Sequence, residues 1–179
     1  MNVRIIAGKF GGRVIQAPTG KVTHPMSDRV RGSLFNMISD IIPDAEVLDA
    51  FAGTGALGIE SLSRGAKNAT FIERDRNASR ILNENLETLE INSDTKAHKM
   101  GLSTWIDQNT DRRFDIILAD PPYDDLQLST VERLGGLLKP NGLMLLSYPG
   151  TCEVPNLNGI VVVDNRSYGT AALAFYRKK

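Results

Sequence analysis

The sequence predicts an α/β fold in which a mostly parallel β-sheet carries helices on both faces. From residue 46 onward, short apolar runs typical of buried strands alternate with helical patterns, an arrangement typical of parallel sheets. A glycine-rich turn joins the first of these strands to a helix. The last two strand-like runs, 159–164 and 170–176, are joined by only five residues, NRSYG. Since a parallel crossover needs a dozen or more, this pair is predicted to form an antiparallel hairpin at one end of the sheet.

The first 43 residues predict a β-hairpin followed by a helix. Two short strands, 3–7 and 13–16, are separated by KFGG, where Gly11 and Gly12 favour a tight reversal. After a loop rich in turn residues, Ser27 or Asp28 can cap a helix that Pro43 ends. The apolar residues of this helix recur at helical spacing, namely Val30, Leu34, Met37, Ile38 and Ile41.

The rest of the chain predicts the alternating core. The strands are expected at 46–53, 69–73, 95–100, 114–120 and 142–148, and the helices at 56–65, 75–91, 103–109 and 128–138. A length of 179 residues is that of one domain. We therefore expect a single domain over 1–179, made of an N-terminal extension (1–43) and a core (44–179).

Charge is distributed unevenly although its sum is zero, with 21 basic and 21 acidic residues. Residues 1–31 hold one acidic residue, Asp28, and six basic ones, which are Arg4, Lys9, Arg13, Lys21, Arg29 and Arg31. Such a basic arm favours a polyanionic partner, and a solvated hairpin without a partner is the alternative.

Composition predicts a cytoplasmic protein. Cys152 is the single cysteine, which excludes an intrachain disulfide and fits a reducing compartment. No apolar run approaches 18 residues, so no membrane span is expected. The two histidines, His24 and His98, are too far apart in sequence to suggest a metal site, and none is predicted.

A glycine turn predicts a nucleotide site. Gly53-Thr54-Gly55-Ala56-Leu57-Gly58 follows a strand, opens a helix and matches G-x-G-x-x-G, while Glu73 ends the next strand 20 positions later. Glycines let the backbone approach a ligand, and a carboxylate at that strand end can accept hydrogen bonds from ribose hydroxyls. Close packing of the helix on the strand is the alternative explanation of the glycines.

Two further features favour S-adenosylmethionine over NAD in this turn. Asp49, four residues before Gly53, would repel the pyrophosphate of a dinucleotide but attract a ligand that carries an ammonium and a sulfonium group. The fourth core strand ends in Asp120-Pro121-Pro122-Tyr123, a segment that has no role in hydride transfer.

The segment Asp120–Tyr123 suits methyl transfer to an exocyclic amine. Two prolines make a rigid turn and remove two N–H donors, which leaves the Asp120 carboxylate and the Pro121 carbonyl as acceptors. Acceptors bonded to the amine would localise its lone pair and aim it at the methyl group. Tyr123 offers an aromatic face on which a base can stack.

With these motifs the chain resembles the RsmD family, whose enzymes methylate the 2-amino group of a guanine in small-subunit ribosomal RNA. The resemblance is carried by RIIAGK at 4–9, DRVR at 28–31, LDAFAGTGALGIESLSRGA at 48–66, FIERD at 71–75 and DPPY at 120–123. It implies the seven-stranded class I (Rossmann-like) methyltransferase sheet with its last strand antiparallel. It also implies a substrate in the small ribosomal subunit or its assembly intermediate, and a monomer.

The resemblance assigns three sets of site residues. The catalytic set is Asp120, Pro121, Pro122 and Tyr123. The cofactor set is Asp49, Phe51, Ala52, Gly53, Thr54, Gly55, Glu73, Arg74 and Leu102, and the RNA set is Arg4, Lys9, Arg13, Asp28, Arg29 and Arg31. The chain departs from the family at Met100-Gly101-Leu102, where an Asp-Ala pair usually approaches the adenine, so that a backbone group or Ser103 is left to substitute.

Other functions stay open on the sequence alone. A DNA adenine or cytosine amino-methyltransferase shares the P-P-Y chemistry, but it usually carries a recognition insert for which 179 residues leave no room. A non-catalytic nucleotide-binding module would not need Asp120 and Tyr123. NAD-dependent reduction would require dinucleotide binding in place of S-adenosylmethionine.

Overall fold

The computed structural model describes residues 2–19 and 25–179, so Lys21 of the predicted basic arm and His24 lie outside the described residues. Nine strands are described: β1 (Asn2–Arg4), β2 (Val14–Gln16), β3 (Glu46–Asp49), β4 (Asn68–Glu73), β5 (Thr95–Lys99), β6 (Phe114–Ala119), β7 (Leu138–Pro149), β8 (Ile160–Ser167) and β9 (Ala171–Lys178). The helices described are α1 (Asp28–Met37), α2 (Ala56–Ser63), α3 (Arg76–Thr88), α4 (Leu102–Gln108) and α5 (Leu128–Leu134).

Seven of the strands form one sheet in the order β5-β4-β3-β6-β7-β9-β8. Strands β3 to β7 are parallel to one another, whereas β9 is antiparallel to both β7 and β8. The predicted α/β class, with its terminal antiparallel hairpin, is confirmed. After β3, the strands β4 and β5 are added on one side of β3, whereas β6 and β7 are added on its other side. The direction in which strands are added therefore changes between β3 and β6, where open α/β sheets bind their ligands.

Strand β7 begins earlier than the predicted start at residue 142. Its register with β6 shifts between Phe114, opposite Leu138, and Ile116, opposite Leu143, so the bulged side of β7 holds three extra residues. Asn141, at a φ of 66°, lies in this irregular stretch. The turn-like sequence Pro140-Asn141-Gly142 concealed the first part of the strand, because such residues normally mark a loop.

The N-terminal hairpin is confirmed, but its strands are shorter and its reversal is wider than predicted. β1 covers Asn2–Arg4, and Ile5 N–H still bonds to Arg13 O at 2.8 Å. The two amides after Ile5 leave the hairpin, since Ile6 N–H and Ala7 N–H donate to the carboxylate of Glu60 in α2, at 2.8 and 3.1 Å. The reversal contains two successive turns, with Gly11 N–H bonded to Gly8 O and Arg13 N–H bonded to Phe10 O.

Helix α1 begins as predicted, with the Ser27 hydroxyl accepting from Val30 N–H at 3.2 Å. It ends at Met37, six residues before Pro43, and residues 38–41 continue as tight turns.

The core consists of two apolar layers, one on each face of the sheet. The layer that contains Phe35, Leu57 and Leu82 also takes in Val3 and Ile15 of the hairpin, so the N-terminal extension packs as part of this layer. The other layer surrounds Trp105 and Ile117. In the described part of the chain, no helix is both long and apolar enough to cross a membrane.

Candidate active site

Three carboxylates meet where the parallel strands end. Asp49 ends β3, Glu73 ends the adjacent β4, and Asp120 directly follows β6, the neighbour of β3 on its other side. Burial raises the pKa of all three side chains above the ordinary range. This edge of the sheet is therefore a partly buried, negatively charged site, which favours a cationic ligand.

Asp49 leaves one buried oxygen unpaired. The residue is 1% exposed, and its Oδ2 accepts from the N–H of Gly58 at 2.9 Å. Its Oδ1 is buried without a hydrogen-bond partner among the described residues. Burial, together with the charges of Asp120 and Glu73, raises the pKa of Asp49 to about 7 against the opposing effect of the Gly58 N–H. An ammonium or sulfonium group beside Oδ1 would remove the cost of this unpaired acceptor.

The glycines of the turn serve two purposes, namely room for a ligand beside the backbone and close packing of the helix on the strand. A Cβ on Gly53, at a φ of 57°, would point into open space, as expected for a backbone that a ligand approaches. A Cβ on Gly58 would lie 2.3 Å from Cε1 of Phe71, and one on Gly55 would lie 2.6 Å from Cδ1 of Leu82. Gly55 and Gly58 thus permit α2 to pack closely on β4 and α3.

Glu73 closes the glycine turn from the end of β4. Its Oε1 accepts from Gly53 N–H at 3.0 Å, and its Oε2 accepts from Asp75 N–H at 2.7 Å. A carboxylate oxygen can accept two hydrogen bonds, so both oxygens retain room for ribose hydroxyls. These contacts keep Glu73 next to Gly53, as a ribose-binding carboxylate requires.

The other predicted cofactor residues differ in their exposure to solvent. Phe51 is half-buried and Ala52 is buried in the turn that leads to Gly53. Leu102 is 5% exposed and belongs to the apolar layer at the start of α4. Arg74 is exposed, and its guanidinium lies 3.7 Å from the carboxylate of Asp125, just after the DPPY segment. Arg74 therefore connects the two halves of the site across the surface.

The DPPY segment presents its acceptor and its ring at the edge of the same site. Burial raises the pKa of Asp120 to about 6, opposed by a hydrogen bond from the Ser147 side chain. The ring of Tyr123 is 41% exposed while its hydroxyl lies 2.7 Å from the hydroxyl of Ser147. The ring is thus held at its polar end and open to a stacking partner.

Ser147 was missed by the sequence analysis. It is 1% exposed on β7, the strand beside β6, and its hydroxyl serves both Asp120 and Tyr123. The sequence did carry a signal, since Ser147 is the one small polar side chain in the apolar run GLMLLSY. A buried hydroxyl needs a partner, and a strand that borders a polar site supplies one.

The predicted RNA residues fall into two places. Lys9 and Arg13 lie at the far end of the hairpin, where Lys9 N–H bonds to Ser63 O at the end of α2, and Arg13 donates to Thr88 O at the end of α3. Arg29 is exposed in the first turn of α1, and the exposed Arg4 lies beside that turn, 3.6 Å from the Asp28 carboxylate. Helix α1 itself reaches the active-site edge, because the Ser33 hydroxyl bonds to Tyr168 in the turn before β9.

Arg31 does not fit the expected contact with phosphate. Its side chain is 1% exposed and donates to Met26 O at 3.1 Å, to Arg4 O at 2.6 Å and to the Asp28 carboxylate at 3.0 Å. Its Nε lies 3.8 Å from Glu60, whose side chain is fully buried. Arg31 and Asp28 therefore fasten the arm to α2, and neither needs RNA for its role. The periodicity of α1 does not distinguish a buried arginine from an exposed one.

Within residues 2–19 and 25–179, no group of three or more His, Cys, Asp or Glu side chains is arranged to hold a metal ion.

Comparison with known proteins places the chain in a family. The family model described as Conserved hypothetical protein 95 matches residues 3–177. The Ribosomal RNA small subunit methyltransferase D of Escherichia coli is 39% identical over 140 residues, which are 78% of this chain and 68% of that protein. The Bacillus subtilis protein YlbH is 32% identical over 183 residues, covering 99% of this chain and 100% of that protein. The solved structure of the Escherichia coli protein yhhF has a TM-score of 0.87 at 31% identity and covers 100% of this chain and 99% of its own.

Proposed function

The chain belongs to the RsmD family, and from this membership and the strand-end site we propose that it transfers a methyl group from S-adenosylmethionine to the exocyclic 2-amino group of a guanine in 16S ribosomal RNA. The observation that carries the proposal is the pairing of two half-sites on adjacent strands. One is the unpaired Oδ1 of Asp49 beside the glycine turn, and the other is the Asp120–Tyr123 segment with its exposed ring.

The residues present fit S-adenosylmethionine. Gly53 provides open space for the ligand, Glu73 the acceptors for ribose hydroxyls, and Asp49 a buried negative charge for the cationic methionine end. S-adenosylmethionine supplies an electrophilic methyl group on a sulfonium, which a neutral amine can attack.

Asp120 and its neighbours prepare the amine. Above about pH 6 the Asp120 carboxylate is mostly ionised and can accept a hydrogen bond from one N–H of the base. The Pro121 carbonyl is the second acceptor, and the Tyr123 ring stacks on a base that has left its helix. With S-adenosylmethionine held there, its methyl group would move to the amine nitrogen while the sulfur kept the electron pair of the broken bond. The surplus proton on nitrogen passes to Asp120 and then to water.

A labelling experiment tests the proposal. In separate reactions, the protein is incubated with small ribosomal subunits from a strain without the enzyme or with duplex DNA. Each reaction contains S-adenosylmethionine that carries a tritiated methyl group, and the nucleic acid is then digested to nucleosides. We expect label in N2-methylguanosine. Label in another nucleoside would contradict the proposed target, and label only in DNA would support the DNA enzyme instead. Cofactor binding without transfer to any substrate would support a non-catalytic module.

Two variants separate the catalytic role of Asp120 from its structural one. Asp120→Ala should lower the rate of transfer by about 10²- to 10⁴-fold and leave cofactor affinity nearly unchanged, because Asp120 acts on the base. Asp124→Ala is the matched control, since Asp124 is an exposed carboxylate in the same loop and should retain activity. Equal losses in the two variants would exclude a specific role for Asp120.

A further inference from the structure

One side chain joins the N-terminal hairpin to the glycine turn. Asn85 lies in α3 and is 4% exposed. Its Nδ2 donates to Gln16 O and to Thr54 O, each at 3.0 Å, and its Oδ1 accepts from Gln16 N–H at 3.0 Å. Because a primary amide has two N–H groups, both donors of Asn85 are used, one on each segment.

The backbone of Gln16 is free for this pairing because of the register of the hairpin. Gln16 lies opposite Asn2, and the pair of Ile5 and Arg13 is bonded through Ile5 N–H and Arg13 O at 2.8 Å. Bonded and non-bonded pairs alternate along an antiparallel ladder, so Gln16 is at a position whose N–H and C=O point away from β1. The Asn85 amide takes the place of a further strand there.

The second N–H of the Asn85 amide holds the glycine turn at Thr54, between two glycines whose backbone conformation is the least restricted in the turn. Thr54 stands between Gly53 and Gly55, both of which have positive φ angles, of 57° and 93°. Glycines have the widest choice of backbone conformation, so an anchor on the intervening carbonyl narrows the positions available to Gly53. Gly53 is also the residue whose N–H bonds to Glu73.

We propose that Asn85 is a positioning residue that couples the hairpin to the cofactor turn, an inference that depends on the proposed function. A ligand that orders the glycine turn stabilises the Thr54–Asn85 bond, and through the same amide it stabilises Gln16 in β2. Coupling between two sites is reciprocal, so RNA that orders the hairpin tightens cofactor binding to the same degree. The arm thus contributes to cofactor affinity as well as to RNA contact.

Hydrogen exchange on the unaltered protein gives the first test, with S-adenosylhomocysteine alone as the probe. The amide of Gln16, bonded to Asn85 Oδ1, should exchange at least about 5-fold more slowly when the probe is bound. The amide of Asn109, bonded to Ile106 O at the end of α4, is the control and should not change. Binding of the probe without any slowing at Gln16 would overturn the coupling and leave the proposed function intact. If the probe does not bind at all, the proposed function fails with it.

A pair of variants on one helix gives the second test. Asn85→Asp retains the acceptor for Gln16 N–H but loses both donors, so the affinity for S-adenosylhomocysteine should fall about 5- to 50-fold. The slowing of Gln16 exchange by the probe should disappear with it. Asn83→Asp is the control, because Asn83 is exposed and donates only to Ser79 O within α3. If Asn85→Asp and Asn83→Asp bind S-adenosylhomocysteine with equal affinity, the proposal is overturned. If Asn85→Asp does not fold, hydrogen exchange at the Gln16 amide of the unaltered protein decides.

Discussion

At the scale of single residues, the carboxylates at the strand ends lower the stability of the protein in exchange for affinity towards a cation. Asp49 has a buried oxygen without a partner, and its pKa is raised to about 7. A carboxyl group whose pKa is higher in the folded than in the unfolded chain favours folding only while it is protonated. That contribution is complete below the ordinary pKa of 3.8 and is lost as the pH rises through about 7.

Replacing Asp49 with Asn should therefore stabilise the protein without cofactor at pH 8. The amide keeps an acceptor for Gly58 N–H and removes the buried charge, so we expect a gain of about 1–3 kcal/mol in the free energy of unfolding. Urea denaturation at pH 8 and at pH 4 measures it, and the gain should vanish at pH 4, where Asp49 is largely protonated in the fold. Cofactor affinity should fall in the same variant. A loss of stability at pH 8 would show that the Asp49 charge is compensated in solution.

On the proposed mechanism, Asp120 and Ser147 set the acid limb of the pH–rate profile. Asp120 must be ionised to accept from the amine, and its pKa is raised to about 6, so kcat should decline below pH 6 with a slope of one. Because the hydrogen bond from Ser147 lowers this pKa, Ser147→Ala should move the limb to higher pH by about 1–2 units and reduce kcat at pH 7.5 by at most about 4-fold.

The matched control for Ser147 is Ser61→Ala. Ser61 is also buried, but its hydroxyl donates only to Leu57 O within α2. A profile whose acid limb is the same in Ser147→Ala as in the unaltered enzyme would contradict the role of this hydroxyl.

At the scale of elements, the sequence predicted which segments are strands or helices better than where they end. The parallel core and the terminal hairpin follow from apolar periodicity and loop length, and both were found. The ends depend on tertiary partners that no local pattern contains. The pairing of the hairpin stops where Ile6 and Ala7 turn to Glu60, a residue more than 50 positions away along the chain. For the same reason Arg31 was expected on the surface and lies buried beside that carboxylate.

Glu60 is the point at which the arm is fastened to the core. Its carboxylate is fully buried and accepts from Ile6 N–H, Ala7 N–H and Arg64 Nε, with Arg31 nearby. Glu60→Gln removes the charge that faces the buried Arg31 and the half-buried Arg64, and only Arg31 keeps another carboxylate, that of Asp28, so we expect a loss of about 3 kcal/mol in the free energy of unfolding.

Urea denaturation measures this loss, and Glu84→Gln is its control. Glu84 is an exposed residue of α3 that pairs with Arg80 one turn away, and such pairs contribute at most about 0.5 kcal/mol. Limited proteolysis should cut the arm of Glu60→Gln before the core. A loss as small as that of Glu84→Gln would mean that the apolar face of the hairpin holds the arm without Glu60.

At the scale of the whole molecule, the strand order brings together three carboxylates that are far apart in the sequence. Asp49, Glu73 and Asp120 end three neighbouring strands, and that much follows from a parallel sheet with its switch between β3 and β6. The sequence marks Ser147 as a polar residue in an apolar strand but not its partners, and it does not mark Asn85 at all, because each acts through a contact between distant segments. The uneven charge was visible in the sequence, but its position relative to the site was not.

The position of the basic residues predicts which of them contact RNA phosphates, and the salt dependence of RNA binding tests this. Each phosphate contact contributes about 0.7–0.9 to the slope of log affinity against log salt concentration. Arg29 is exposed on α1, the helix that reaches the active-site edge, so Arg29→Ala should lower the slope for binding to small ribosomal subunits by about 1. Lys178 is the control, because β9 runs antiparallel to β7 and its end lies at the opposite edge of the sheet. Filter binding from 50 to 200 mM salt measures both slopes, and an equal change for Lys178→Ala would mean that the arm does not direct the RNA.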